Sequence, residues 1–208
     1  MTRKHTATYP PVARLIAGAI AALTIAALAI QPWLGTGTPA RNALGLLQFF
    51  TIWSNIAAAA LLGWIAVGRR VPPAALAALA TALTVVGLVY WALLAGEHHP
   101  AGIDRLTNQV YHTITPAAAV LWWLRYAPPS PAILPLLPAV MVPPLSYGIF
   151  AFVLGELTGF YAYFFLDLPA MGWIAFLVSN AVLAVFFAVL GAGLLAIKNA
   201  LHRRSALS

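Results

Sequence analysis

The stretch "PAALAALATALTVVGLVYWALLAG" (residues 73–96) contains 24 residues without a single charged side chain. An α-helix needs about 20 apolar residues to cross the hydrocarbon core of a bilayer, which is roughly 30 Å thick. This stretch therefore predicts a membrane-spanning helix. Its apolar character sets the fold class that we expect for the whole chain.

The remainder of the chain has the same character, since 62% of its 208 residues are hydrophobic and only 7% are charged. A soluble domain is about 45–50% apolar and about 25% charged. Backbone polar groups in lipid must pair within the chain, which favours helices. We therefore expect an all-α, polytopic membrane protein in which residues 1–208 form one six-helix domain. The six apolar segments are 13–33, 44–67, 73–96, 107–126, 131–154 and 170–197.

The basic residues predict how these spans are oriented. With six spans both termini share one side of the membrane, and that side carries nine basic residues: Arg3, Lys4, Arg14, Arg69, Arg70, Arg125, Lys198, Arg203 and Arg204. The other side carries Arg41 and Arg105 together with all four acidic residues. Because Lys and Arg are enriched in cytoplasmic loops, both termini are predicted to be cytoplasmic. We expect a multi-pass protein of the plasma membrane, which in a bacterium is the inner membrane.

The same counts bound the chemistry of the chain. The net charge of +7 is spread over short connections, so no nucleic-acid partner is expected. Without cysteine, disulfides and thiolate chemistry are excluded. The first apolar run also resembles a secretory signal, with Ala27-Leu28-Ala29 as a small-residue site, and we interpret it as a retained first span.

The segment "NQVYHTITP" (108–116) places a titratable ring in an apolar span. Ionisable residues at membrane depth usually face a bundle interior or a wet cavity and are functional candidates. The alternative interpretation is a hydrogen bond that only holds helices together. Pro116 removes the N–H that would pair with the carbonyl of His112, which predicts a kink. The predicted topology places several polar groups in the outer half of the membrane, where one pocket is expected: Thr51, Asn55, Tyr90, His112 and Asn180.

Thr51 and His112 offer a hydroxyl and an imidazole on two different spans. A threonine hydroxyl is a weak nucleophile that an adjacent base can activate, and neutral histidine can serve as that base. No cofactor is expected, because the chain has no glycine-rich nucleotide motif. Neither is a metal, because the adjacent His98 and His99 diverge in any regular element and are interpreted as loop residues.

Three segments resemble a known family: "LLQFFTIWSN" (46–55), "NQVYHTITP" (108–116) and "GELTGFYAYFFLDLPAMGW" (155–173). They are similar to the androgen-induced protein and androgen-dependent TFPI-regulating protein family, including its bacterial six-span relatives. The resemblance implies a multi-span threonine hydrolase that cleaves fatty acid esters of hydroxy fatty acids. It implies Thr51 as the nucleophile and His112 as the base. Gln109 stands where eukaryotic members carry histidine, a departure that bears on substrate preference.

On this reading the substrate is a lipid ester that enters from the membrane, with membrane lipids as the other partners; the sequence does not indicate an oligomeric state. Four residues are unranked candidates for binding substrate or the oxyanion: Asn55, Tyr90, Asn108 and Asn180. Two other functions stay open, a small-solute transporter and a non-catalytic membrane protein that binds a lipid or a partner subunit. A hydrogen bond between the Thr51 hydroxyl and a His112 ring nitrogen would favour the enzyme.

Overall fold

A computed structural model describes residues 9–130 and 132–205, and these residues form helices and no strand. The prediction of an all-α fold is therefore confirmed for the described part of the chain. Two π-helical turns are present: Tyr90–Leu94 extends α4, and Val110–Ile114 joins α5 to α6. The α-helices are α1 (Pro11–Ile30), α2 (Pro39–Leu46), α3 (Phe50–Ala66), α4 (Pro73–Val89), α5 (Gly102–Gln109), α6 (Thr115–Tyr126), α7 (Leu137–Thr158) and α8 (Leu168–Ser205).

Several helical stretches are long and apolar enough to cross a membrane, which is consistent with a membrane protein. Four such stretches are Pro11–Trp33, Pro73–Leu94, Leu134–Thr158 and Leu168–Arg203. The pair α2 and α3 makes a fifth if it is counted as one span, bent by 96°. Large apolar side chains point outward from α7 and α8, as lipid contact requires: Leu145, Ile149, Ile174 and Val182 are examples. The count of six spans and the cytoplasmic termini stay predictions, and Arg3 and Lys4 lie outside the described residues.

The segment predicted as one span over 44–67 is broken, because α2 ends at Leu46 and α3 begins only at Phe50. Side chains satisfy the backbone carbonyls that the break exposes. The Trp53 indole donates to the carbonyl of Leu47 and the Tyr147 hydroxyl donates to the carbonyl of Gln48, both at 2.8 Å. The break therefore places the first turn of α3, and Thr51 within it, at the end of a helix rather than in its interior.

One end of the bundle, called the basic end here, carries Arg14 and Lys198, two of the cationic residues that the sequence places on one side. The Arg14 guanidinium donates to the carbonyl of Ala66 at the C-terminus of α3. The Lys198 ammonium donates to the carbonyl of Trp123 near the C-terminus of α6, at 2.6 Å. Cations at helix C-termini complement the helix dipole and the unpaired carbonyls. These contacts bring the start of α1 and the ends of α3, α6 and α8 together.

The core between the helices consists mainly of small and branched apolar side chains. α1 packs along α3, and α4 lies against α3, α6, α7 and α8. Buried alanines such as Ala17, Ala58 and Ala77 allow these helices to approach closely, as is common between membrane helices. The core therefore holds the helices that carry Thr51, Tyr90 and His112 in a fixed arrangement.

Candidate active site

Thr51 and His112 lie in contact at the end of the bundle opposite the basic end, called the site end here. The Thr51 Oγ1 atom lies 3.3 Å from the Nε2 atom of His112. Thr51 is the second residue of α3, and His112 is in the π-helical turn between α5 and α6. Thr51 therefore follows a break in the chain, and His112 lies in a π-helical turn. Two straight spans would contain neither feature.

The surroundings of His112 fix the role of each ring nitrogen. Nδ1 lies 3.1 Å from the carbonyl oxygen of Asn108, which can only accept, so Nδ1 carries the proton in this bond. In the neutral ring Nε2 then has a free lone pair and accepts the hydrogen of the Thr51 hydroxyl. The Tyr90 ring stacks on the imidazole, with centroids 3.9 Å apart and planes 19° from parallel. The imidazole is therefore held in the tautomer and orientation of a general base.

Pro116 and Asn55 account for the shape of the π-helical turn. In the i→i+5 register the carbonyl of Tyr111 faces residue 116, which is a proline and has no N–H. The Asn55 amide donates to this carbonyl at 3.2 Å and to the carbonyl of Thr51 at 2.8 Å. Asn55 is fully buried and both of its N–H groups are used. It therefore ties α3 to the π-helical turn and positions the pair, and it is no donor to substrate.

Close contact between α4 and the π-helical turn depends on Gly87. A Cβ atom at this position would lie 3.3 Å from the carbonyl oxygen of His112, which is tighter than most contacts of a Cβ atom. The glycine thus lets α4 approach the backbone of His112, so that Tyr90, three residues further along, can stack on its ring.

The two other asparagines predicted as site residues, Asn108 and Asn180, lie at different distances from the Thr51–His112 pair. Asn108 is buried, and its amide nitrogen lies 3.1 Å from Nδ1 of His98, a loop residue. Asn180 lies on α8 and donates to the carbonyl of Phe176 in its own helix at 2.9 Å. The structure thus places Tyr90 and Asn108 beside the Thr51–His112 pair, and Asn180 on the wall of a neighbouring cavity.

Two cavities meet at Thr51, where one pocket was expected, and Asn55 lies outside both. The first, the apolar cavity, has a volume of about 430 Å³ and includes Val86, Met141, Leu145, Phe152, Phe176 and Asn180 in its lining. The second, the polar cavity, has a volume of about 520 Å³ and includes Gln31, Glu97, His98, Asp104, Asn108 and His112. Four residues line both: Thr51, Tyr90, Leu94 and Tyr163. The Thr51 hydroxyl is therefore placed between an apolar and a polar compartment.

Tyr163, in the connection between α7 and α8, is a site residue that the sequence reasoning missed. Its hydroxyl lies within hydrogen-bonding reach of the Thr51 hydroxyl and of the backbone N–H groups of Phe50 and Thr51. Burial raises the pKa of this hydroxyl, although these hydrogen bonds act in the opposite direction. A hydroxyl with a raised pKa stays protonated at neutral pH and can donate. Only its place in the segment 155–173, noted for the family resemblance, pointed to this connection.

The first turn of α3 supplies a further group of donors. The first N–H groups of a helix have no partner within it, and the helix dipole favours negative charge there. The N–H groups of Phe50 and Thr51 lie in this first turn, and both are within reach of the Tyr163 hydroxyl. Such an arrangement can stabilise an oxyanion that forms when the hydroxyl attacks a carbonyl group.

Comparisons of this chain with protein-family models, with curated proteins and with solved structures gave no match. The resemblance to the androgen-induced protein family therefore stays a prediction.

Proposed function

We propose that this protein is an intramembrane threonine hydrolase that cleaves lipid esters, with Thr51 as the nucleophile and His112 as the general base. The observation that carries the proposal is the 3.3 Å contact between Thr51 Oγ1 and His112 Nε2, in which Nδ1 is already bound to the carbonyl of Asn108. Nucleophile, base and a group that orients the base form a triad of roles.

In the first half of the reaction the Thr51 oxygen attacks the ester carbonyl carbon, and His112 Nε2 takes the hydroxyl proton. The negative charge on the former carbonyl oxygen is stabilised by the N–H groups of Phe50 and Thr51 and by the Tyr163 hydroxyl. The intermediate collapses with cleavage of the bond to the alcohol oxygen, which receives the proton from His112. This leaves an acyl group on Thr51.

In the second half water attacks the acyl carbonyl carbon while His112 removes one of its protons. The acyl–threonine bond then breaks, and the threonine oxygen recovers the proton from His112. The net reaction converts one ester and one water into a carboxylic acid and an alcohol. The polar cavity, which borders both Thr51 and His112, supplies the path for this water.

The apolar cavity supports a lipid as the substrate. Its lining beyond Thr51 is almost entirely aliphatic and aromatic and comes from α3, α4 with its π-helical turn, α7, α8 and the connection between α7 and α8. An acyl chain that enters from the bilayer would fill it and leave the ester carbonyl at Thr51. We place the site in the outer half of the plasma membrane, in a chain with six spans and cytoplasmic termini, because the basic residues Arg14 and Lys198 lie at the opposite end of the bundle.

A transporter is less well supported by the described residues. Between the two cavities and the basic end, the core is filled with apolar side chains such as Ala58, Leu62 and Leu83. A continuous polar path for a solute would have to pass through this region. Binding of lipid without catalysis would use the same apolar cavity and is separated from hydrolysis by the experiment below.

The test is hydrolysis of lipid esters by the purified protein in detergent, followed as release of fatty acid. The panel contains monoacylglycerols, fatty acid esters of hydroxy fatty acids and wax esters. Wild type should cleave at least one class, Thr51→Ala should not, and Thr51→Ser should retain part of the rate because it keeps a hydroxyl. Thr24→Ala, which removes a buried hydroxyl away from both cavities, is the control for folding. Equal turnover by Thr51→Ala and wild type would refute Thr51 as the nucleophile.

A further inference from the structure

The polar cavity is lined by acidic side chains and by no described Lys or Arg. The acidic residues are Glu97 and Asp104. Asp104 is held in place, because its Oδ1 atom accepts a hydrogen bond from the Gln31 amide at 2.8 Å. The Gln31 oxygen in turn accepts from the Thr107 hydroxyl. One carboxylate of the cavity is therefore held in place by a neutral partner.

Two buried polar groups of the same cavity lack partners. Asn108 and Tyr111 are only 5% and 4% exposed, and both line the polar cavity. Among the described residues neither the Asn108 Oδ1 atom nor the Tyr111 hydroxyl has a hydrogen-bond partner. Buried polar atoms are nearly always paired in native proteins. An amide oxygen can only accept, so the missing partner of Asn108 is a donor such as a hydroxyl group.

We infer that the polar cavity binds the alcohol part of the ester and selects a neutral, hydroxyl-bearing group of the glycerol type over one with a free carboxylate. The inference rests on the proposed function, because the position of the ester at Thr51 decides which part of the substrate enters this cavity. With the acyl chain in the apolar cavity, the alcohol part lies on the side of Glu97 and Asp104. A free carboxylate there would meet two like charges at the edge of the membrane, whereas hydroxyl groups would donate to the carboxylates of Glu97 and Asp104.

This selection differs from what the family resemblance implies. Fatty acid esters of hydroxy fatty acids carry a free carboxylate on the alcohol part, and the described lining of the polar cavity offers that group no cation. A monoacylglycerol has the same ester bond and replaces the carboxylate by hydroxyl groups. The charge of the cavity thus separates two substrate classes that the Thr51–His112 pair alone does not distinguish.

Binding of uncleavable ether analogues tests the inference without catalysis. The probes are 1-O-hexadecylglycerol and its matched acid, 2-hydroxy-3-hexadecyloxypropanoic acid, titrated calorimetrically into wild type in a nonionic detergent at pH 8. The neutral ether should bind about tenfold more tightly or better, because juxtaposed like charges oppose the acid. The variant Glu97→Gln/Asp104→Asn should remove most of this difference. Glu156→Gln, which neutralises one carboxylate at an exposed residue outside the polar cavity, should preserve it.

Three results would overturn the inference: equal or tighter binding of the acid, a preference unchanged in Glu97→Gln/Asp104→Asn, or saturable binding of neither ether. Hydrolysis of 1-hexadecanoylglycerol by wild type is measured alongside. If binding is selective and neither this ester nor any other ester of the panel is cleaved, the proposed hydrolase activity fails while the selection of a neutral ligand by the polar cavity stands. If the ester is cleaved and binding is unselective, only the inference about the alcohol part fails.

Discussion

Two hydrogen bonds of threonine hydroxyls can be compared, one to the π-helical turn and one to the first residue of the helix that follows it. The Thr51 hydroxyl lies 3.3 Å from His112, and the Thr24 hydroxyl lies 2.8 Å from that of Thr115, three residues further along the chain. Thr24 and Thr115 are fully buried, and Thr24 also bonds to the carbonyl of Ile20 in its own helix. Thr51 instead borders two cavities.

The difference shows that the types of the bonded side chains do not by themselves distinguish a structural hydrogen bond from one in a reactive site. Access of a ligand to the bond also matters. A fully buried pair in which both hydroxyl hydrogens are already bonded can only hold α1 against α6. A pair beside open volume, with a base in a fixed tautomer and helix N–H groups nearby, can also react with a ligand. Variants of the Thr51–His112 pair should therefore lose activity, whereas variants of the Thr24–Thr115 pair should lose stability.

Replacing His112 by alanine should lower kcat/KM for a cleavable lipid ester by on the order of 10³-fold or more, because the nucleophile loses its base. The double variant Thr51→Ala/His112→Ala should be little worse than either single variant, since the two residues act as one unit. Thr115→Ala should leave the rate near that of wild type. Steady-state kinetics of wild type and these four variants measures this. Additive losses in the double variant would show that Thr51 and His112 do not work together.

Replacing Tyr163 by phenylalanine should lower kcat by about tenfold to a hundredfold and change KM little, because one donor to the oxyanion is lost while two backbone N–H groups remain. Tyr161→Phe is the matched control in the same connection, since the Tyr161 hydroxyl bonds to Glu156 and not to the site. The comparison is made on one ester at one pH. A similar loss in both variants would assign the effect to the connection as a whole.

The buried Thr24–Thr115 pair should contribute more to the free energy of unfolding than the Thr51–His112 pair. Thr24→Val leaves the Thr115 hydroxyl buried without its partner, which costs about 1–3 kcal/mol. Thr51→Val should cost less, because the His112 nitrogen that it leaves unpaired borders a cavity that water can enter. Thermal unfolding in one detergent, with equal protein concentrations, gives the order of the two variants. A larger loss for Thr51→Val would mean that the Thr51–His112 bond is mainly structural.

The smallest effect is expected at Gly87. A Cβ atom 3.3 Å from the carbonyl oxygen of His112 would shift the π-helical turn by a few tenths of an ångström. Gly87→Ala should therefore lower kcat several-fold, since about 1 Å of misplacement can cost a hundredfold. Gly193→Ala, in α8 and outside both cavities, is the control, because an added Cβ there meets nothing within 4 Å. Unchanged kcat in Gly87→Ala would show that the close approach of α4 is not required.

The sequence was sufficient to predict the helical class, because long apolar stretches without charge leave no other way to pair the backbone in lipid. It also indicated the Thr51–His112 pair, through the isolation of His112 in an apolar span and through the family resemblance. Tyr90 and Asn108 were named as site candidates without a stated geometry, and the structure gives each a contact with His112.

The irregular features could not be read from the sequence. The break before Phe50 depends on hydrogen bonds from Trp53 and Tyr147, residues that only the fold brings to it. An apolar run over 44–67 shows the same hydropathy whether it is straight or bent. The π-helical turn depends on Asn55 reaching the carbonyl of Tyr111 across two helices, so Pro116 alone suggested only a kink. Tyr163 was missed for the same reason, since its partner α3 lies more than a hundred residues away in the chain.

The central claim is that the Thr51 hydroxyl is a nucleophile activated by His112, and covalent labelling tests it most directly. Purified wild type is treated with a lipid-like fluorophosphonate, digested, and analysed by mass spectrometry to locate the modified residue. The account predicts one adduct on Thr51 in wild type and strongly reduced labelling in His112→Ala, with Thr24→Ala labelled as wild type. Absence of an adduct on Thr51, or equal labelling of Thr51 in His112→Ala, would contradict it.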